Sequence, residues 1–141
     1  ERSRSVSLSC CIYATAPFIH PEYLKEGHNK LINSGKSFAF SVTSFPFPIQ
    51  RAIHINRKGE MDAFWPEHRN TRSKDLEVTY HDAGQFFWGR AQAFLNDEVI
   101  FSKISSPVIL PRYLVQDIDT LEDWRRAEYM FKAIQGSEAM P

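Results

Sequence analysis

The chain predicts an α/β fold built on a mixed sheet. Three observations lead there. Strand-like apolar runs alternate with helical patterns at both ends of the chain. A hairpin-like excursion fills the middle. Apolar residues make up 43% of the 141 residues, enough for a packed core in one domain or part of one.

The elements follow in order. "VSLSCCIY" (Val6 to Tyr13) reads as a strand inside a sheet, and "ATAPF" breaks it at Pro17. "HPEYLKEGHNKLINSG" reads as a helix. Pro21 suits its first turn, Tyr23, Leu24, Leu31 and Ile32 form an apolar side, and Gly35 ends it. "SFAFSVTSF" is a second strand, and the two prolines of "PFPIQ" make a loop or an edge. "RAIHINRKGEMDAFW" is a hairpin turning at Lys58-Gly59. "PEHRNTRSKDLEVTY" is polar and long for a plain connector, which favours a functional or interface loop. "AGQFFWG" is an aromatic strand opened by Gly84 and closed by Gly89. "RAQAFLND" is a short helix and "PVILP" an apolar strand. In the last helix, "DTLEDWRRAEYMFKAIQG", Leu121, Trp124, Ala127, Phe131 and Ile134 recur at helical spacing, with Gly136 as its C-cap.

Composition narrows the function. The 17 basic residues equal the 17 acidic ones, so a broad electrostatic grip on nucleic acid has no support. No apolar stretch approaches a membrane span and no signal peptide is evident, which points to the cytoplasm. The cysteines, Cys10 and Cys11, are adjacent on a strand and point to opposite faces. An ordinary disulfide between them is disfavoured, and both read as buried inert thiols. The chain has no initiator Met and opens on the polar lead "ERSRSVSLS", so we read it as a fragment whose start lies upstream.

"VQDIDTLEDW" carries the chemistry. Asp117 and Asp119 flank Ile118 where the chain leaves a strand, so both carboxylates face one way. Ligands of open α/β sheets bind beyond the carboxyl ends of strands. Two carboxylates there suit a hard divalent cation, with phosphate and water completing its shell. A second reading stands beside this one. Asp119-x-x-Glu122 and Thr120-x-x-Asp123 both have capping-box spacing, so Asp119 can also serve as a helix cap.

Longer motifs add to this. "QDIDTLEDWRRAEYMF" resembles the C-terminal motif of the acylneuraminate cytidylyltransferases, the CMP-sialic acid synthetases. "CCIYATAPF", "FAFSVTSFPFPIQRA", "PEHRNTRSKDLE" and "YHDAGQFFWGRA" resemble the pseudaminic acid branch, and the similarity runs from about Ser9 to Ile134. The resemblance implies a Rossmann-like nucleotidyltransferase α/β/α sandwich, usually homodimeric. It implies transfer of CMP from CTP to the anomeric hydroxyl of a nine-carbon α-keto sugar acid, pseudaminic acid first, with release of pyrophosphate. Residues 1–141 would be a single partial domain with its first strands missing, and about 45–80 its dimerisation excursion.

Roles carry over residue by residue. Asp117 and Asp119 match the family's metal pair and imply Mg²⁺ ligation and catalysis. Tyr13 stands where the sialic acid branch has a glutamine that touches sugar, which suits a less polar 9-deoxy sugar. Thr15 is placed to hydrogen-bond substrate, or to act as a local turn cap. His81 stands at the position of a carboxylate-gripping arginine, with Asp82 after it, and Gln85 is placed to read sugar hydroxyls or amides. Strand alternation puts Phe86 and Trp88 on one face and Phe87 on the other. Gln50, Arg51 and Arg72 lie where the family's dimer lobe reaches into the partner's site. His20, His28 and His54 have no convergent partners in sequence. One departure matters: the Gly-, Arg- and Lys-rich loop that cradles CTP phosphates is absent. The chain alone is therefore expected to be inactive. Two alternatives remain open: a relative acting on sialic, legionaminic or ketodeoxyoctonic acid, and a non-catalytic remnant that only dimerises or binds sugar.

Overall fold

A computed structural model describes residues 5–138, so the polar lead at 1–4 lies outside the described residues. The fold is α/β with a mixed sheet. The elements are β1 (Leu8–Ile12), α1 (Pro21–Ser34), β2 (Phe38–Ser44), β3 (Ile53–Ile55), β4 (Met61–Ala63), β5 (Tyr80–Arg90), α2 (Ala91–Leu95), β6 (Ser105–Ile109) and α3 (Leu121–Glu138). Two compact units result, one of Glu1–Thr43 with Asp82–Pro141, the other Ser44–His81.

The first unit is organised by a sheet of order β1-β5-β2-β6. β1 runs antiparallel to β5, with Cys10 opposite Trp88, and β2 runs parallel to β6, with Ser41 opposite Val108. β2 is central and almost wholly buried, which explains its unbroken run of small and apolar residues. Its polar members are satisfied internally. The Ser41 hydroxyl donates to Phe86 O at 3.1 Å, and Thr43 donates to Leu110 O at 2.9 Å. The outer edge of β6 is closed to further strands. Lys30 Nζ donates to Pro107 O at 2.8 Å, Lys36 Nζ to Ser105 O at 2.9 Å, and Pro107 has no N–H to offer.

α1 forms as its sequence dictates. Pro21 opens it, the His20 side chain accepts from the Glu22 amide, and Gly35 ends it at φ 67°. It lies on β5 through a residue with no side chain. A Cβ on Gly27 would stand 2.9 Å from both Phe86 and Trp88. Trp88 returns the contact by donating its indole N–H to Leu24 O at 3.0 Å. Phe86 joins Ala83, Val108 and Leu110 in the core, with Tyr23, Leu24 and Trp88 packed around them. Full burial of Phe86, Val108 and Leu110 contributes about 1.5–3 kcal/mol each.

Four expectations fail here. β1 lies at an edge of the described sheet and Cys11 is exposed, so neither the strand nor that thiol is interior. Gly84 and Gly89 sit within β5, which runs from Tyr80 to Arg90 and pairs with β1 past Gly89. α3 runs through Gly136 to Glu138, since a single glycine near a helix end is tolerated at modest cost. The residues before Asp117 form no strand; a one-turn helix at Arg112–Leu114 gives way to an irregular extended stretch.

The second unit centres on a β3–β4 hairpin pairing His54 with Asp62. Its turn is made at Gly59 (φ 81°), and the Asn56 side chain accepts from the Lys58 amide at 2.9 Å and the Glu60 amide at 3.1 Å. One-turn 3-10 helices at Ile49–Arg51, Pro66–His68 and Ser73–Asp75 complete it.

Candidate functional site

Tyr13, Asp82, Gly84 and Asp117 come together in the first unit, although they lie in three separate sequence motifs. The chain leaves β1 at Tyr13, whose amide donates to Gln85 O at 2.9 Å. Its phenol donates to Asp82 Oδ2 at 3.3 Å. Burial pushes the Tyr13 hydroxyl above its usual range, and the Asp82 and Asp117 carboxylates push it further, so it remains a proton donor. Asp82 Oδ1 accepts from the Gly84 amide at 2.9 Å, and Gly84 takes the left-handed conformation at φ 62°. The Asp117 carboxylate lies over this glycine, 3.5–3.7 Å from where a Cβ would be.

The segment carrying the aspartates is fixed from below. Gln116 is buried, and its amide donates to Asp117 O at 2.7 Å and to Asp123 Oδ1 at 3.4 Å. Exposure then alternates: Asp117 and Asp119 face solvent, while Ile118 is half-buried beside Phe18, Trp124 and Ala127. Both aspartates are exposed on either side of Ile118, in a stretch that forms no regular strand. The Ile118 amide donates to Asp117 Oδ1 at 3.0 Å.

The two readings of Asp119 separate here. The cap of α3 is built by Thr120 and Asp123, each accepting the other's backbone amide. Asp119 contributes only its amide, to Asp123 Oδ2 at 3.3 Å, and its carboxylate is no part of the cap.

The other expected residues divide. Thr15 is exposed in the turn after β1. Gln85 is 2% exposed and donates to Leu114 O, so its side chain holds the chain and is not offered to a sugar. Phe86 and Trp88 face α1, whereas Phe87 stands edge-on to Tyr13 with ring centres 6.0 Å apart. In the second unit, His81 lies tilted against Phe45, ring centres 4.7 Å apart at an interplanar angle of 57°. There Gln50 donates to Glu77 O, Arg51 to Ser73 Oγ, and Arg72 pairs with Asp75 at 2.7 Å. Sequence reasoning missed Gln116 and Gly84 as site-building residues, whereas Thr120-x-x-Asp123, named there as a capping box, forms as one. The "QDID" run contained the signal for Gln116: a polar residue out of phase with two exposed aspartates is inward-facing.

Among the described residues, no three His, Cys, Asp or Glu side chains converge as a metal site. Asp117 and Asp119 still fit a magnesium ion, because that ion keeps several waters and needs few protein oxygens. Their donor set is all hard oxygen, and both residues are exposed. No helix among the described residues is long and apolar enough to cross a membrane.

No family model matches the chain. Over 123 residues it is 42% identical to the pseudaminic acid cytidylyltransferase of Campylobacter jejuni serotype O:2, covering 87% of this chain and 53% of that protein. The same figures hold for the serotype O:23/36 protein of that name. A Helicobacter pylori protein named pseudaminic acid cytidylyltransferase and UDP-2,4-diacetamido-2,4,6-trideoxy-beta-L-altropyranose hydrolase is 32% identical over 111 residues, 79% of this chain and 21% of its own length. The chain is thus similar over most of its length to the pseudaminic acid cytidylyltransferases, and it spans about half the length of the Campylobacter proteins it matches.

Proposed function

We propose that the protein carrying this chain transfers CMP from CTP to the anomeric hydroxyl of a nine-carbon sugar acid, with pseudaminic acid as the preferred acceptor. The observation that carries this reading is the exposed carboxylate pair, Asp117 and Asp119, next to the Tyr13–Asp82 contact. The similarity to cytidylyltransferases supports it. Asp117 and Asp119 would hold Mg²⁺, which when bound neutralises charge on the reacting phosphate. Tyr13 and Thr15 stand at the end of β1, and there they offer hydroxyl and ring contacts to the sugar. Asp82, Asp117 and Asp119 supply no cation for a triphosphate, so we expect no turnover from the 141 residues by themselves.

We further propose a homodimer held through residues 44–81. Ile53, Ile55, Met61 and Phe64 are each more than half exposed on that hairpin unit, an apolar surface that suits self-association.

Asp117→Asn and Asp119→Asn in the full-length protein test the reading. Loss of a ligand worth about 3 kcal/mol slows pyrophosphate release more than about 100-fold at saturating Mg²⁺. Because neither carboxylate caps α3, melting temperature stays within about 2 °C, a shift under 1 kcal/mol. Near-normal turnover in both variants would defeat the proposal.

A further inference from the structure

We propose, taking Asp117 as the metal-binding carboxylate of the reading above, that Tyr13, Asp82 and Gly84 are a positioning brace for it and that Asp82 acts by shape, not charge. Ala83 and Phe86 both face the same core cluster. In a regular strand, residues three apart face opposite ways, so β5 carries one extra residue between them. Gly84 is that residue: its left-handed φ of 62° is the mark of a bulge. The short side chain of Asp82 locks the bulge through the Gly84 amide at 2.9 Å.

The second oxygen of Asp82 receives the Tyr13 hydroxyl at 3.3 Å. Tyr13 is itself fixed, by its amide on Gln85 O and its ring against Phe87. Both Asp82 oxygens therefore accept donors of their own chain. Asp117 differs: it is exposed, with one oxygen on the Ile118 amide. Bare Gly84 backbone forms the floor beneath it, 3.5 Å from the Cβ position to the carboxyl carbon. A shift in the bulge moves that floor.

A shape-only role makes asparagine a substitute. Its amide oxygen accepts from Gly84, and its NH₂ donates to the Tyr13 oxygen, which can accept as well as donate. Alanine cannot do either. Two readouts on the isotope-labelled full-length protein test this. The Ile118 amide resonance reports the Asp117 carboxylate directly, and Mn²⁺ titration by electron paramagnetic resonance reports the metal site. With Asp82→Asn, the Gly84 and Ile118 resonances stay in place and Mn²⁺ affinity stays within about twofold of the original protein. With Asp82→Ala both resonances move and affinity falls about tenfold or more, the usual loss for a residue supporting a ligand. Tyr13→Phe, which keeps the ring, moves the Gly84 resonance and lowers affinity by less. The proposal is overturned if Asp82→Asn weakens Mn²⁺ as much as Asp117→Asn does, or if Asp82→Ala leaves the Ile118 resonance unmoved. An original protein that binds no Mn²⁺, with Ile118 still moving in Asp82→Ala, would defeat the metal reading alone and leave the brace standing.

Discussion

Thr120 and Asp123 close the start of α3 reciprocally: the Asp123 amide donates to Thr120 Oγ1 at 3.2 Å, and the Thr120 amide to Asp123 Oδ2 at 2.9 Å. The hydroxyl adds a third bond, to Asp123 Oδ2 at 2.7 Å. Two orphan amides at a helix start are thus satisfied without Asp119. The work of capping and the work proposed for the carboxylate pair fall on different residues, so substitutions can separate them.

Thr120→Ala should cost about 1 kcal/mol of stability, the usual loss for a helix cap, measured by urea unfolding. Asp119→Asn should cost far less. A pH series adds a second check. The Thr120 hydroxyl, followed by the backbone amides, holds the Asp123 carboxyl below its usual range. A group whose folded pKa is lowered stabilises the protein above its unfolded pKa, and that contribution fades as pH falls through the folded one. The acid-side loss of stability should therefore be shallower in Asp123→Asn.

Gly27→Ala tests how α1 sits on the sheet. The new methyl would meet Phe86 and Trp88 at 2.9 Å, in the core and with no open space. Overpacking of this kind costs about 1–3 kcal/mol. Helix propensity runs the other way and favours alanine by about 1 kcal/mol. Packing should win, giving a lower unfolding midpoint and an altered Trp88 fluorescence.

Gln116→Ala removes a buried amide that ties Asp117 O to Asp123 Oδ1. Loss of buried hydrogen bonds costs about 1–3 kcal/mol when a partner is left unpaired. Gln116→Glu should be worse, since it places a carboxylate in contact with an acceptor carbonyl and a second carboxylate. Unfolding midpoints in the order original, alanine, glutamate would bear this out, and an unchanged alanine variant would remove Gln116 from the scaffold of the site.

Much of this was legible in the sequence because local chemistry decided it. Pro21, Gly35 and the spacing of Tyr23, Leu24 and Leu31 determined α1, and Lys58-Gly59 determined the hairpin. The alternation of exposed Asp117 and Asp119 with half-buried Ile118 was legible too. What failed were features set by distant contacts. The bulge at Gly84 depends on a core shared with Val108, which is not a local property of "AGQFFWG". Gln85 looked like a sugar reader because nothing near it in sequence reveals Leu114 O as its partner. The choice between two capping boxes one residue apart turned on where α3 begins, and boundaries are the least determined part of a helical pattern.

Sugar choice is the last prediction, and Tyr13 argues it. Its hydroxyl is turned onto Asp82, and its ring stands against Phe87. A ligand at the end of β1 therefore meets ring carbons more than a polar tip, a surface that suits a deoxygenated sugar better than one rich in hydroxyls. Apolar contacts of this size discriminate by about 1–3 kcal/mol, so the catalytic efficiency of the full-length protein should favour pseudaminic acid over N-acetylneuraminic acid by about 10–200-fold. Tyr13→Phe keeps the ring and should keep the ratio while lowering both rates through the brace. Tyr13→Gln, which puts an amide there, should narrow the ratio itself. Kinetics on the two sugars with one preparation decide it: equal or better use of N-acetylneuraminic acid would sink the preference, and leave CMP transfer to a sugar acid as a separate question for Asp117 and Asp119.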